Sequence, residues 1–201
     1  MDRDEIMVVE RPESVSWEEI SGLLRRAHAQ NVANGIKLPY PFLAPEELKA
    51  KTEGEGGKML VALLNGKLVG TAAIKVISRD NFWFGGGDFA YCFLAAVSPE
   101  CTGRGVYRRL VEAREHIARD WGVNRLLFDT DERNARVMEI MKKNGFRAVD
   151  YRIREDHNSI IFVKWLNGSP YSKLKCAYVF WRRKSDRLKK AKRQNAAANQ
   201  E

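Results

Sequence analysis

Nowhere does the 201-residue chain hold an apolar run near the ~18 residues that a membrane-crossing helix needs. Its first ten residues, MDRDEIMVVE, are acidic and broken by charge, which is not the pattern of a secretory signal. Cysteine is scarce: Cys92, Cys101 and Cys176 are scattered and odd in number. They make neither a disulfide framework nor a zinc motif, and they suit a reducing cytoplasm. Histidine is as rare; His28, His116 and His157 stand alone and read as surface or helix-face residues rather than bases. No acidic excess exists either, since the net charge is +9. Of that, +8 falls after residue 170, where ten Lys/Arg face two acids. The rest of the chain is close to neutral, so any argument from basicity to a partner concerns the tail alone.

What the chain does hold is an ordinary apolar fraction, 44%, enough for a real core, and a length that fits one domain with an appendage. The most informative stretch is FAYCFLAAVSPECTGRGVY, residues 89–107. Phe89 to Val97 is apolar enough for a buried strand, and Pro99 ends it because proline has no N–H for a sheet ladder. Thr102, Gly103, Arg104 and Gly105 form a turn. Val106, Leu110, Ala113 and Ile117 then recur at helical spacing. A strand that breaks into a glycine-rich turn and a helix start is a phosphate cradle: glycines admit close backbone approach, and unpaired N–H groups at the helix N-terminus point at the anion.

The remaining elements follow in order. Ile6 to Val9 is a short strand. Ser16-Trp17-Glu18-Glu19 is a capping box opening a helix with Ile20, Leu23, Leu24 and Ala27 on one face, closed near Asn34-Gly35. Pro39, Pro41 and Pro45 keep the next segment irregular until a short helix after Pro45; Tyr40 and Phe42 on that loop read as packing, or as a wall facing substrate. Lys58–Leu64 and Lys67–Ile77 flank Asn65-Gly66, a hairpin signal. Phe82, Trp83 and Phe84, with glycines 85–87, form a loop, either a covered corner or a lip over a pocket. Beyond the central stretch come a strand at Arg125–Thr130, a helix at Asn134–Lys143 closed by Asn144-Gly145, and a second hairpin from Phe146–Arg154 and Ser159–Trp165 around Glu155–Asn158. The order is β-α-α-β-β-β-α-β-α-β-β, a mixed α/β sheet with helices packed on it.

This order, the TGRG turn after the fourth strand and NARVMEIMKKNGF on the later helix resemble the GNAT family of N-acetyltransferases over roughly residues 5 to 165. The family's loop reads Gln/Arg-x-x-Gly-x-Gly/Ala; here it is Thr102-Gly103-Arg104-Gly105-Val106-Tyr107, with the fourth position kept. The resemblance implies a mostly antiparallel sheet with a splayed central strand pair and flanking helices. It implies acetyl-CoA as co-substrate, its pantetheine arm along Ala95, Ala96 and Val97. The backbone from Thr102 through Gly103, Arg104, Gly105, Val106 and Tyr107 would hold the pyrophosphate, and Asn134 would hydrogen-bond the arm. Arg108 and Arg109 could reach the 3′-phosphate or form a solvated helix face.

The implied chemistry is attack of a neutral amine on a thioester, which calls for a base for the amine and an acid for the thiolate. The family's usual acid, a tyrosine four residues before the Gly of Gly-Phe, is here Met141, and its alternative glutamate base on the fourth strand is here Tyr91. Tyr91 acting through a water, or Asp129 at the end of the fifth strand, are the catalytic candidates; Asp131 reads as helix N-terminal charge, and Tyr107 and Tyr151 are lesser candidates. Orientation and backbone donors at the carbonyl would supply most of the rate.

Leu174, Tyr178, Trp181 and Leu188 share one helical face of the tail, although Cys176 to Trp181 equally suits a short strand. Either way the aromatics are expected to dock on the body. The organisation expected is a domain over 1–170 and a basic extension over 171–201, partly disordered. The leading function is transfer of an acetyl group from acetyl-CoA to an amine on a small molecule or protein, in the cytoplasm. The alternative is a catalytically weak CoA-binding module acting in regulation or partner binding. Nucleic acid would be contacted only through the tail.

Overall fold

Central strands buried on both faces set the architecture. The computed structural model describes residues 5–38, 40–78, 88–168 and 172–198. The aromatic loop at 82–84 with its glycines, Pro39 and Tyr171 lie outside them. The chain divides into two units, residues 1–126 and 127–201. The division falls within a strand, and the C-terminal helix falls in the second unit.

In the first unit, β1 (Ile6–Glu10), α1 (Trp17–Ala33), a 3-10 turn (Tyr40–Phe42) and α2 (Pro45–Thr52) precede β2 (Lys58–Leu64), β3 (Lys67–Ser78), β4 (Asp88–Val97) and α3 (Val106–Asp120). The four strands pair antiparallel in the order β1-β2-β3-β4. Successive residues of a strand point to opposite faces, and both faces are covered. Met59, Val61 and Leu63 of β2 join Ile20, Leu23 and Leu24 of α1 in one core. Leu60 and Ala62 join Val106 and Leu110 of α3 in the other. This explains the unbroken apolar run of β2.

Local signals act as their chemistry dictates. The Glu19 amide donates to Ser16 Oγ at 3.1 Å and the Ser16 amide to Glu19 Oε2 at 2.8 Å, completing the capping box. Asn65 and Gly66 both take positive φ, 50° and 75°, the backbone a two-residue hairpin turn requires, and Leu64 pairs with Lys67 across it.

The second unit holds most of β5 (Arg125–Asp131), then α4 (Ala135–Lys143), β6 (Arg147–Ile153), β7 (Asn158–Trp165) and α5 (Lys173–Ala198). Its strand order is β5-β7-β6, with β6 and β7 antiparallel around the second hairpin. The seven strands, mostly antiparallel, and their flanking helices make a mixed α/β fold. Among the described residues no helix is long and apolar enough to cross a membrane.

Residues 173–198 are one helix. Of the aromatics expected to dock, Phe180 does, beside Cys176 and Arg183, while Tyr178 and Trp181 are exposed with Leu174. The buried face is anchored by charge. Asp150 on β6, itself buried, meets Arg183 Nη1 at 3.3 Å and Arg187 Nη2 at 3.8 Å. Burial lowers the pKa of Arg183 and Asp150 opposes that shift. Removing one partner of a buried pair strands the other charge at a cost of about 3–5 kcal/mol, so this pair fixes where the helix sits.

Gly70 of β3 is the point of closest approach to α3. A Cβ there would lie 2.7 Å from Val106 Cγ1 and 3.2 Å from both Ala62 Cβ and Leu110 Cδ1. Gly70→Val is expected to destabilise by about 2–3 kcal/mol through overpacking, read as a lowered urea midpoint with unchanged slope. An unchanged midpoint would show that α3 can shift freely.

Candidate functional site

The anion cradle begins where β4 ends. A 3-10 turn at Pro99–Cys101 leads to Thr102, and Gly103 and Gly105 take φ of 84° and 79°, values that side chains other than glycine resist. A Cβ at either would meet nothing within 4 Å, so the backbone of this loop is open to a ligand. Gly105 is the N-cap of α3, no side chain caps the helix, and its first turn carries no acid. The first N–H groups of a helix have no intrahelical acceptor, and the dipole there favours an anion. Residues 102–107 thus form a surface suited to phosphate.

The side chains around the cradle sort themselves. Val106 is buried in the core. Tyr107 turns inward to hydrogen-bond the fully buried Arg114, and burial raises its pKa. Arg109 Nη1 donates to the Ile6 carbonyl at 2.8 Å and ties α3 to β1. Arg108 lies 3.8 Å from Glu112 on an exposed helix face.

Upstream, β4 is broken in a way the sequence did not announce. Pairing with β3 runs Ala73↔Phe93 and then Thr71↔Ala96, so Leu94 and Ala95 oppose the single residue Ala72: a β-bulge. Leu94 is buried and has φ of 50°, a left-handed conformation costing about 1–2 kcal/mol for a residue with a Cβ. His28 braces the bulge. Its Nε2 donates to the Ala95 carbonyl at 3.1 Å, and Asn31 Nδ2 lies 3.4 Å from Nδ1. A carbonyl only accepts, so the proton is on Nε2 and Nδ1 receives from Asn31. Burial lowers the His28 pKa below 6.5, against the opposing hydrogen bond to Ala95. Read from sequence as an isolated helix-face residue, His28 is a neutral brace between α1 and the strand that leads to the cradle. Nothing in FLAAV signals a bulge; the helical offset of His28 from Leu24 was the available signal for the brace.

Tyr91 is half-buried on the same strand. Its ring stacks on Phe93 with centroids 5.5 Å apart, its hydroxyl lies 3.2 Å from that of Tyr40, and Lys75 Nζ sits 5.3 Å over the Phe93 ring. Tyr40 therefore packs, the plainer of the two readings of the proline loop, while Phe42 is exposed. Ala95, Ala96 and Val97 run directly from the bulge toward the cradle.

In the second unit, Asp129 is half-buried on β5 and paired with Arg154 Nη2 at 3.4 Å. Asn134 is the N-cap of α4, its Oδ1 accepting from the Val137 amide at 3.4 Å, and is buried. Met141 is buried. Asp131 is held by Arg133 rather than exposed as a base. The Tyr151 hydroxyl donates to Glu132 at 2.8 Å, and burial with that carboxylate raises its pKa strongly.

An open-sided loop on an uncapped helix follows a bulged strand in this mixed α/β fold. The model of the Acetyltransferase (GNAT) family matches residues 17–146, and the chain belongs to that family. Solved structures agree in fold. A GCN5-related N-acetyltransferase from Kribbella flavida has a TM-score of 0.61 at 20% identity, covering 80% of this chain and 98% of that one. The PaiA N-acetyltransferase of Thermoplasma acidophilum, solved with coenzyme A, has 0.61 at 17%, covering 80% and 99%. The ribosomal-protein-S18-alanine N-acetyltransferase of Escherichia coli has 0.60 at 18%, covering 84% and 97%. No curated protein matches the sequence.

The brace carries a pH signature. His28 is neutral in the fold and takes a proton near pH 6.5 when unfolded. Its folded pKa is lowered, so its contribution is present above the unfolded value and is lost as pH falls through the folded one. His28→Gln keeps a donor for Ala95 and cannot titrate. The fall in urea midpoint from about pH 7 to pH 5 is expected to be shallower in the variant; equal slopes would mean His28 does not carry it.

Proposed function

We propose that the chain transfers an acetyl group from acetyl-CoA to an amine by direct attack of the amine on the thioester. The observation that carries this reading is the uncapped, acid-free start of α3 behind Gly103 and Gly105, whose open backbone fits a pyrophosphate. Acetyl-CoA supplies the acetyl group as an activated thioester. Backbone amides from Thr102 to Tyr107 bind the pyrophosphate, the strand Ala95-Ala96-Val97 lies along the pantetheine arm, and the Asn134 amide donates to that arm.

The bulge serves the reaction. Leu94 and Ala95 leave the β3 ladder, so an N–H there donates to the oxygen that gains charge as the amine adds, the kind of stabilisation worth about 2.7–4 kcal/mol per donor in other enzymes. The amine must lose a proton as the thiolate departs. Tyr91, linked to Tyr40, moves it through a water. Asp129, paired with Arg154, is the alternative base. A second reading, a CoA-binding module with weak turnover, is favoured by one observation: a buried methionine, Met141, occupies the family's acid position.

Thermal melting with acetyl-CoA and with free CoA tests the cradle. At one hundred times Kd a ligand specific to the folded state adds about 2.7 kcal/mol, so both should raise Tm. Gly105→Ala should weaken the shift, since a Cβ at that φ costs about 1–2 kcal/mol. An amine panel scored by CoA release then separates transferase from binding module. Tyr91→Phe and Asp129→Asn, assayed separately, should lower the rate in at least one case; unchanged rates in both would remove both residues from the mechanism.

A further inference from the structure

Helix α5 carries two apolar faces, and only one is used. Cys176, Phe180 and Arg183 face β6. About half a turn around the helix, at i, i+4 and i+7, Leu174, Tyr178 and Trp181 are 83%, 65% and 62% exposed, with Leu188 continuing the stripe. At about 100° per residue, Lys184 borders this stripe on one side and Arg182 and Lys189 on the other. Over its length the helix has ten Lys/Arg and a single acid, Asp186. Arg183 and Arg187 turn inward to Asp150, and Lys184 Nζ sits 4.9 Å over the Tyr151 ring; Lys173, Arg182, Lys189, Lys190, Lys192 and Arg193 are exposed.

We propose that the outer face of α5 binds a membrane surface rich in anionic lipid headgroups, lying in the interface without crossing it. The stripe is the pattern of an interfacial helix, with leucine and aromatic side chains between rows of lysine and arginine whose aliphatic stems lie along the apolar surface and whose heads reach the phosphates. Trp181 lies with its ring 5.4 Å from Lys184 Nζ, an apolar body beside a cation, the arrangement favoured at headgroup depth. The charge argues against a second copy, because two helices of this composition would repel. The leucines argue against nucleic acid: Leu174, the most exposed member, has no ring for a base to stack on, whereas an acyl region accepts it. Basic residues on both sides of the stripe match a flat anionic surface better than the groove of an acidic protein. This inference does not depend on the proposed catalysis, and its readout is not activity.

Co-sedimentation of the full chain with vesicles of phosphatidylcholine plus phosphatidylglycerol, and with phosphatidylcholine alone, tests it. Binding to the anionic vesicles is expected, weakening as salt rises, with little binding to the neutral ones. Leu174→Ser with Trp181→Ser should weaken binding at least roughly tenfold, with the melting temperature held. Lys189→Glu with Lys192→Glu should also weaken it. If the first pair perturbs folding, Leu174→Ser alone, at the most exposed site, is expected to weaken binding about threefold or more. Polyuridylate and polyglutamate serve as competitors. The proposal is overturned by absence of vesicle binding, by equal binding to both vesicle types, or by vesicle binding that survives the serine substitutions. It is also overturned if either polymer binds more tightly than the anionic vesicles.

Discussion

The close seating of α3 on β3 is the contact on which the first unit's chemistry depends. A helix N-terminus binds an anion only if its amides are held at a fixed place and angle, and here the first helical residue, Val106, packs directly over the missing side chain of Gly70. Arg109 fastens the same turn to β1 through the Ile6 carbonyl. One face of the sheet thus exists to position a dipole. The opposite face, covered by α1, holds the brace on β4. The strand between them takes its shape from both layers.

That strand is the costly element. Leu94 stays in a left-handed conformation because its side chain is buried and His28 pins the next carbonyl. Strain of this kind persists only where the surroundings over-determine it, and it clusters at sites of function. Here the inference runs from the backbone outlier to the site: the bulge releases amides from the ladder a short distance upstream of the open glycine loop at 102–105.

Much of this was legible in the sequence, for local reasons. Asn65-Gly66, the Ser16 capping box and the glycines after Pro99 each act through their own backbone, so residue type alone announces them. The bulge is different, because five small or aliphatic residues in a row, FLAAV, carry no turn chemistry and register is decided by both neighbouring layers. His28 was undervalued since its partner is a main-chain carbonyl far away in sequence. The tail shows the same limit. Its clearest apolar stripe, 174–178–181, was taken as the docking face, but the face that docks mixes cysteine, phenylalanine and arginine. It can do so only because Asp150 on β6 neutralises the arginines. Composition sees ten positive charges; it cannot see the one acid that holds a helix in place. Asn134 was assigned to a ligand, while the structure uses its oxygen first to start α4.

The three cysteines have a practical meaning. All are free and buried, and burial raises the thiol pKa of Cys92 and of Cys176. The thiolate is the form that reacts, so the native protein is a poor target for thiol-directed dyes. In a mixture where such a dye is consumed quickly, the fast signal belongs to a small-molecule thiol. The slow signal belongs to chains that have opened. A single reagent therefore keeps two clocks, one on chemistry in solution and one on the breathing of the fold.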